Sequence, residues 1–153
     1  MPAHSAGLLP YRVRDGRIEV FLVHPGGPFW AKKDDGAWSI AKGEFVEGTE
    51  SGLDAAVREF REETGQAIHG PFHEFPVVRQ RSGKIVHAWA VRADVDAQAI
   101  ASNTFSMEWP PKSGRFRDFP EIDRAAWFDL DTARAKLVEG QRPLLDHLAA
   151  HVG

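Results

Sequence analysis

The sequence contains no cysteine. That excludes disulfides, thiolate nucleophiles and cysteine-ligated zinc or iron–sulfur centres. It also lacks a basic excess: 19 Lys and Arg stand against 22 Asp and Glu, a formal net charge of −3. Such a balance argues against a partner gripped along an extended phosphate backbone, while leaving a small phosphorylated ligand open. Long apolar runs are missing too. No stretch approaches the roughly 20 residues of a membrane-spanning helix. The opening "MPAHSAGLLPYRVRDG" has neither a basic leader nor a long apolar segment. No signal peptide and no membrane association are expected, and the expected location is the cytoplasm. What remains is a globular composition, 42% apolar and 27% charged, in 153 residues. That length suits a single domain over residues 1–153 with a substantial core.

Residues 58–65, "REFREETG", place Glu59, Glu62 and Glu63 within little more than one helical turn. Like charges three or four apart repel by about 0.2–0.5 kcal/mol per pair. Arg58 is spaced to pair with Glu62, which offsets part of that repulsion; a bound cation on this face would offset more. Leu53, Ala56, Val57 and Phe60 fall at helical spacing and form an apolar stripe. The glutamates lie on a strip beside it, so a helix docked by the stripe holds them at its edge. Thr49 and Ser51 are the N-cap candidates and Gly65 is the stop.

Around this helix, Asp15-Gly16 and Ser82-Gly83 read as hairpin turns. The run Val20 to His24 suits a strand covered on both faces, and "AWSIAKG" and "AAWFDL" read as short strands. The segment "SNTFSMEWPPKSGRFRDFPEIDR" reads as a long aromatic functional loop. "DTARAKLVEG" and "QRPLLDHLAAH" read as helices, the last packing through Leu144, Leu145 and Leu148. Strands before and after one central helix suggest a mixed α/β or α+β sandwich. Trp127 is expected in the core. Trp30, Trp38, Trp89, Trp109 and Phe105 are candidates for stacking a base, each with core or hairpin packing as the competing role. The seven histidines are scattered along the chain, and no histidine-ligated metal site is expected.

From Gly43 to Gly65 the chain reads "GEFVEGTESGLDAAVREFREETG". This strongly resembles the Nudix box of the Nudix hydrolases, G-x5-E-x7-R-E-U-x-E-E-x-G-U with U a bulky aliphatic residue. Glu50, Arg58, Glu59, Glu62, Glu63 and Gly65 match in order and spacing. Two features depart from the pattern. Gly43 stands one residue earlier than the box's first glycine, and Phe60 and Gln66 replace aliphatic residues.

The resemblance implies a Nudix-type α/β/α sandwich with a mixed sheet, the box spanning about 43–66. It implies an enzyme, a pyrophosphohydrolase that directs water onto a phosphorus atom of a nucleoside diphosphate linked to another group. The implied cofactor is Mg²⁺, with Mn²⁺ as a substitute, held by Glu59, Glu62 and Glu63. A further acidic residue is taken from Glu121, with Glu108 as its competitor. Glu59, Glu62 and Glu121 are the implied catalytic residues, and Gly43, Glu50, Arg58 and Gly65 the structural ones. Lys42, Lys112 and Arg115 are candidates for gripping phosphate, with Arg117 beside them; a solvated surface cation is the competing role for each. The partner implied is a small nucleotide, and homodimers are common in the family. Dinucleoside polyphosphates, nucleotide 5′ ends and nucleoside triphosphates are the substrate classes, with nucleotide sugars and diphosphoinositols as further options. A Nudix-fold nucleotide sensor without catalysis is the alternative function.

Overall fold

A computed structural model describes residues 3–152. The strands are β1 (His4–Arg14), β2 (Arg17–Pro25), β3 (Ala41–Phe45), β4 (Phe72–Glu74), β5 (Val78–Arg79), β6 (Ile85–Arg92), β7 (Thr104–Glu108), β8 (Phe116–Pro120) and β9 (Ile122–Asp129). The helices are α1 (Gly52–Thr64), α2 (Leu130–Lys136) and α3 (Pro143–Val152), with a 3-10 turn at Glu139–Gln141. Seven strands form one mixed sheet in the order β4-β6-β1-β2-β9, with β3 also on β1 and β5 also on β6.

Strand β1 organises this sheet. The β1–β2 hairpin turns at Asp15-Gly16, both with positive φ (50° and 76°), as a tight primed turn requires. Along one edge β1 changes partner: His4–Leu8 pair with β3, and Tyr11–Arg14 pair with β2. Pro10, which has no N–H to give, falls at the changeover. Along the other edge β6 runs parallel to it from His4 to Tyr11.

Alternation along the central strands fills two cores. Leu9, Val20, Leu22, Ala88 and Ala90 pack against Ala133, Leu137, Leu144, Leu145 and Leu148 on the α2/α3 side. Ala6, Leu8, Phe21, Val23, Trp89 and Val91 pack against Ala55, Ala56 and Phe60 of α1 on the other. The result is the expected mixed α+β sandwich, helices on both faces of the sheet.

Helix α1 begins and ends on local chemistry. Ser51 is the N-cap, its hydroxyl accepting from the Asp54 N–H at 3.1 Å. Gly65 closes the helix in the left-handed conformation, donating to the Arg61 carbonyl at 2.8 Å. Ser51→Ala is expected to cost about 1 kcal/mol of stability, read as a lower urea midpoint with an unchanged slope. The two replacements of aliphatic residues in the box are absorbed. Phe60 is fully buried beside Phe21. The Gln66 amide donates to the Asp96 carbonyl at 2.8 Å and accepts from the Asp96 N–H at 3.1 Å, clamping the chain after the helix by hydrogen bonds instead of apolar contact.

Two expectations are corrected. The segment read as a long loop contains a hairpin: β7 and β8 pair antiparallel from Thr104↔Pro120 to Glu108↔Phe116. Proline and glycine at 110–114 mark only its turn. Trp127 packs at the rim of the α1-side core and not inside it: it stands edge-on to Phe21 at 5.6 Å, its indole donates to the Val95 carbonyl at 2.9 Å, and Arg12 lies over its half-buried ring. No helix among the described residues is long and apolar enough to cross a membrane.

Candidate functional site

Docking α1 through Ala55, Ala56 and Phe60 leaves its glutamates along the edge facing β3. The Glu59 carboxylate lies directly over Gly43, where a Cβ would overlap it. Gly43 thus meets the helix by close approach of backbone to carboxylate, which only glycine permits. Arg58 ties the cluster together. It donates to Glu50 at 2.6 Å, to Glu59 at 2.9 Å and to Glu62 at 3.2 Å. Its bond to Glu50 spans the connection from β3 to α1, so one guanidinium fixes the loop and two of the three helix glutamates. These bonds hold the Glu50 carboxyl below the usual carboxylate range.

Glu63 points the other way, into a cleft of about 360 Å³ whose lining includes Lys42, Ser39, Glu121, Gln141 and Trp30. Burial pushes its carboxyl up to about 8, and the carboxylates of Glu59 and Glu121 push in the same direction. The Lys42 ammonium and the Lys42 N–H oppose that shift without cancelling it. Glu59 is raised as well, first by burial, against the pull of Arg58. Burial lowers the Lys42 ammonium from its usual range, helped by Lys84. Carboxylates that hold one another's protons are carboxylates short of positive charge.

A second cleft of about 330 Å³ adjoins the first, sharing Pro25, Trp30 and Glu121 with it. Gly26, Gly27, Phe29, Phe105 and Met107 complete its lining. Phe29 and Trp30 are 60% and 38% exposed, whereas Trp38 and Trp89 are buried; of the stacking candidates, Trp30 and Phe105 reach the clefts. Trp109 stands edge-on to Phe29, 5.8 Å between centroids.

Two residues that position these clefts have no sequence signature. His24, fully buried, donates through Nε2 to the Lys33 carbonyl at 2.6 Å, while its Nδ1 lies 2.8 Å from Asp123 Oδ1. It thereby fastens the loop carrying Phe29 and Trp30 to the sheet. Gln141, also buried, accepts from the Ile40 N–H and donates to Ser39 and Gln80, forming part of the floor beneath Lys42.

The structure therefore gathers Lys42, Gly43, Glu50, Arg58, Glu59, Glu62, Glu63 and Glu121, residues up to 79 apart in sequence. It separates the competing acid: Glu108 accepts from the N–H groups of Lys112 and Gly114 and closes the tip of the β7–β8 hairpin. Lys112 and Arg115 sit at that same tip. Neither lines either of these two clefts, so the structure does not bring the two cations proposed to grip phosphate together with Lys42.

A family model described as NUDIX domain matches residues 1–148. No curated protein matches the chain. Among solved structures, an Ap4A hydrolase of C. elegans in a binary complex superposes with a TM-score of 0.69 at 21% identity, over 98% of this chain and 97% of that one. The NUDIX domain of Shewanella oneidensis NrtR with ADP ribose gives 0.66 at 12%, over 100% and 90%. A MutT structure, from a study of the Aliivibrio salmonicida and Vibrio cholerae proteins, gives 0.56 at 18%, over 97% and 96%. At these identities the likeness is one of fold.

Proposed function

We propose, from the premise that this chain belongs to the NUDIX domain family and is one of its pyrophosphohydrolases, that it cleaves the diphosphate of a nucleoside diphosphate joined to a further phosphate or nucleotide. Dinucleoside polyphosphates stand first among the substrates. The observation that carries this reading is that Glu63 and Glu121 line one cleft, with the Glu59 carboxylate acting on Glu63 from above Gly43, which has no side chain to displace it.

The donor set fits a hard divalent cation. It offers carboxylate oxygens and an open cleft, the preference of Mg²⁺, with Mn²⁺ as a substitute. Glu59, Glu62, Glu63 and Glu121 are the residues that would hold it. The cation supplies neutralising charge for the phosphate oxygens and for the charge that develops during transfer. The chain's own groups do the rest. Arg58 keeps Glu59 and Glu62 oriented. Lys42 presents its ammonium to the same cleft, a point charge for a phosphate oxygen. Glu121, off the helix and at the junction of the two clefts, accepts the proton of the attacking water, with Glu59 as the alternative acceptor. Trp30, Phe29 and Phe105 offer faces on which a base gains about 1–3 kcal/mol by stacking. A polyphosphate lying past Lys42 and Glu63 brings a base to that aromatic cleft, and the fold shared with an Ap4A hydrolase supports the same class.

The test is product analysis with Mg²⁺ against dinucleoside polyphosphates, nucleoside triphosphates, ADP-ribose and nucleotide sugars, comparing the wild type with Glu62→Gln. Metal-dependent cleavage of a dinucleoside polyphosphate, lost in the variant, is the expected result. A wild type that binds a nucleotide and cleaves nothing is a sensor, and the catalytic reading fails. Gly43→Ala provides an independent check: the added methyl displaces the Glu59 carboxylate. We expect kcat to fall by about 10²-fold with the circular dichroism spectrum preserved.

A further inference from the structure

We propose that His4, Glu47 and His87 form a separate cation site, for a transition metal ion of the Zn²⁺ kind, that ties the β3–α1 loop to the sheet. The three residues come from β1, from the loop after β3, and from β6. In the β1–β3 ladder His4 pairs with Phe45, and in the β1–β6 ladder Ala6 pairs with His87. His4 and His87 are therefore diagonal neighbours on one face of the sheet. Phe45 stands edge-on to both rings, at 6.2 Å and 5.4 Å between centroids, and walls one side of the pair. Glu47, two residues past Phe45, brings its carboxylate back over the imidazoles.

The distances suit one ion. His4 Nδ1 lies 2.9 Å from His87 Nε2 and 3.4 Å from Glu47 Oε1, and the ligand atoms all lie within 4.8 Å of one another. A tetrahedral ion bound at about 2.0–2.1 Å sets its ligand atoms about 3.3 Å apart. The His4–Glu47 edge already has that length, and the imidazole pair needs to open by only a few tenths of an ångström. Two imidazole nitrogens and one carboxylate form a Zn²⁺ donor set with room for a water, whereas the all-carboxylate cluster on α1 suits harder ions. Lys84, next to the start of β6, is paired with Glu44 at 3.3 Å, so Glu47 is left to the histidines.

The site has a mechanical consequence. Glu47 bridges Glu50 through backbone, and Glu50 holds Arg58, which holds Glu59 and Glu62. An ion on the histidines restrains the first member of that series. The distance along the chain hides this cluster: His4 and His87 are 83 residues apart, and only the parallel β1–β6 pairing joins them.

The experiment is Zn²⁺ titration of the full chain in excess Mg²⁺, with a chelating dye as competitor. X-ray absorption of the loaded protein reads imidazole ligation, and a melting curve reads stability. The expected result is one tightly held Zn²⁺ with an imidazole signature and a rise of several degrees in Tm. His87→Gln weakens binding by about a hundredfold and Glu47→Gln by about tenfold, while His73→Gln, whose ring stacks on His151 of α3, leaves it unchanged. Glu47 is exposed, so its variant keeps the fold if His87→Gln does not. Absence of tight Zn²⁺ overturns the proposal. So does Zn²⁺ held without imidazole and unaffected by the Glu47 change, which would place it on the α1 glutamates.

Discussion

Glu59→Gln is expected to lower kcat by on the order of 10³-fold, the scale on which a lost transition-state charge contact acts, while the protein stays folded. Glutamine keeps the shape and hydrogen-bonding reach of glutamate but removes the charge. Its environment shows how the fold tolerates that change. Glu59 is already raised toward protonation by burial, with Glu62 and Glu121 adding to the effect and only Arg58 opposing it. A neutral amide relieves those repulsions, so thermal stability without divalent cation should be equal to or above that of the wild type. Fewer than tenfold loss in steady-state turnover at saturating Mg²⁺ would remove Glu59 from the reaction. Glu50→Gln is the informative contrast. Glu50 touches Arg58 and lines neither of the two clefts, so its effect passes through orientation and should stay near tenfold.

The helix that carries Glu59 is legible in the sequence. Helical spacing puts Glu59, Glu62 and Glu63 on one strip beside an apolar stripe, and both caps of α1 follow from residue chemistry that acts within one turn. Local rules of this kind survive because the interacting groups are close along the chain. What spacing does not reach comes from pairing between distant strands. Glu108 competes with Glu121 as a loop acid until the β7–β8 register turns Glu108 onto its own hairpin tip. Lys112 and Arg115 are attractive as cations near aromatics, and the same register sets them in the hairpin turn, off both clefts. His24 and Gln141 hold the cleft through bonds to residues 99 and 102 positions away, contacts that no spacing encodes. Gly43 is an intermediate case. In the sequence it only stands one residue early in the box, yet the residue sits under Glu59 where no side chain fits.

Without divalent cation, the protein is expected to lose stability as pH rises from 6 to 8, and Mg²⁺ should remove most of that loss. The sign follows from Glu63. Its carboxyl is raised from the ordinary 4.5 to about 8 in the fold. Below the lower value it is protonated in folded and unfolded chains alike and contributes nothing to the balance. Between the two values the unfolded chain releases the proton that the folded chain retains. The folded state then binds more protons, and stability falls with rising pH. Above 8 the full penalty of an ionised, buried carboxylate is present. Glu59 acts in the same direction. Lys42, lowered by the same burial, acts oppositely toward the alkaline side, which is why the comparison stops at 8. Each pH unit over which one proton separates the states is worth about 1.4 kcal/mol, so the decline across this range is on the order of 2 kcal/mol. Urea midpoints at pH 6, 7 and 8 measure it, with and without millimolar Mg²⁺. Glu63→Gln should flatten the metal-free slope and weaken the response to Mg²⁺ together, because the group that resists ionisation is also a proposed cation ligand. A variant that keeps the wild-type slope would show that the strain resides elsewhere in the cluster, and Glu63 would lose its place among the ligands.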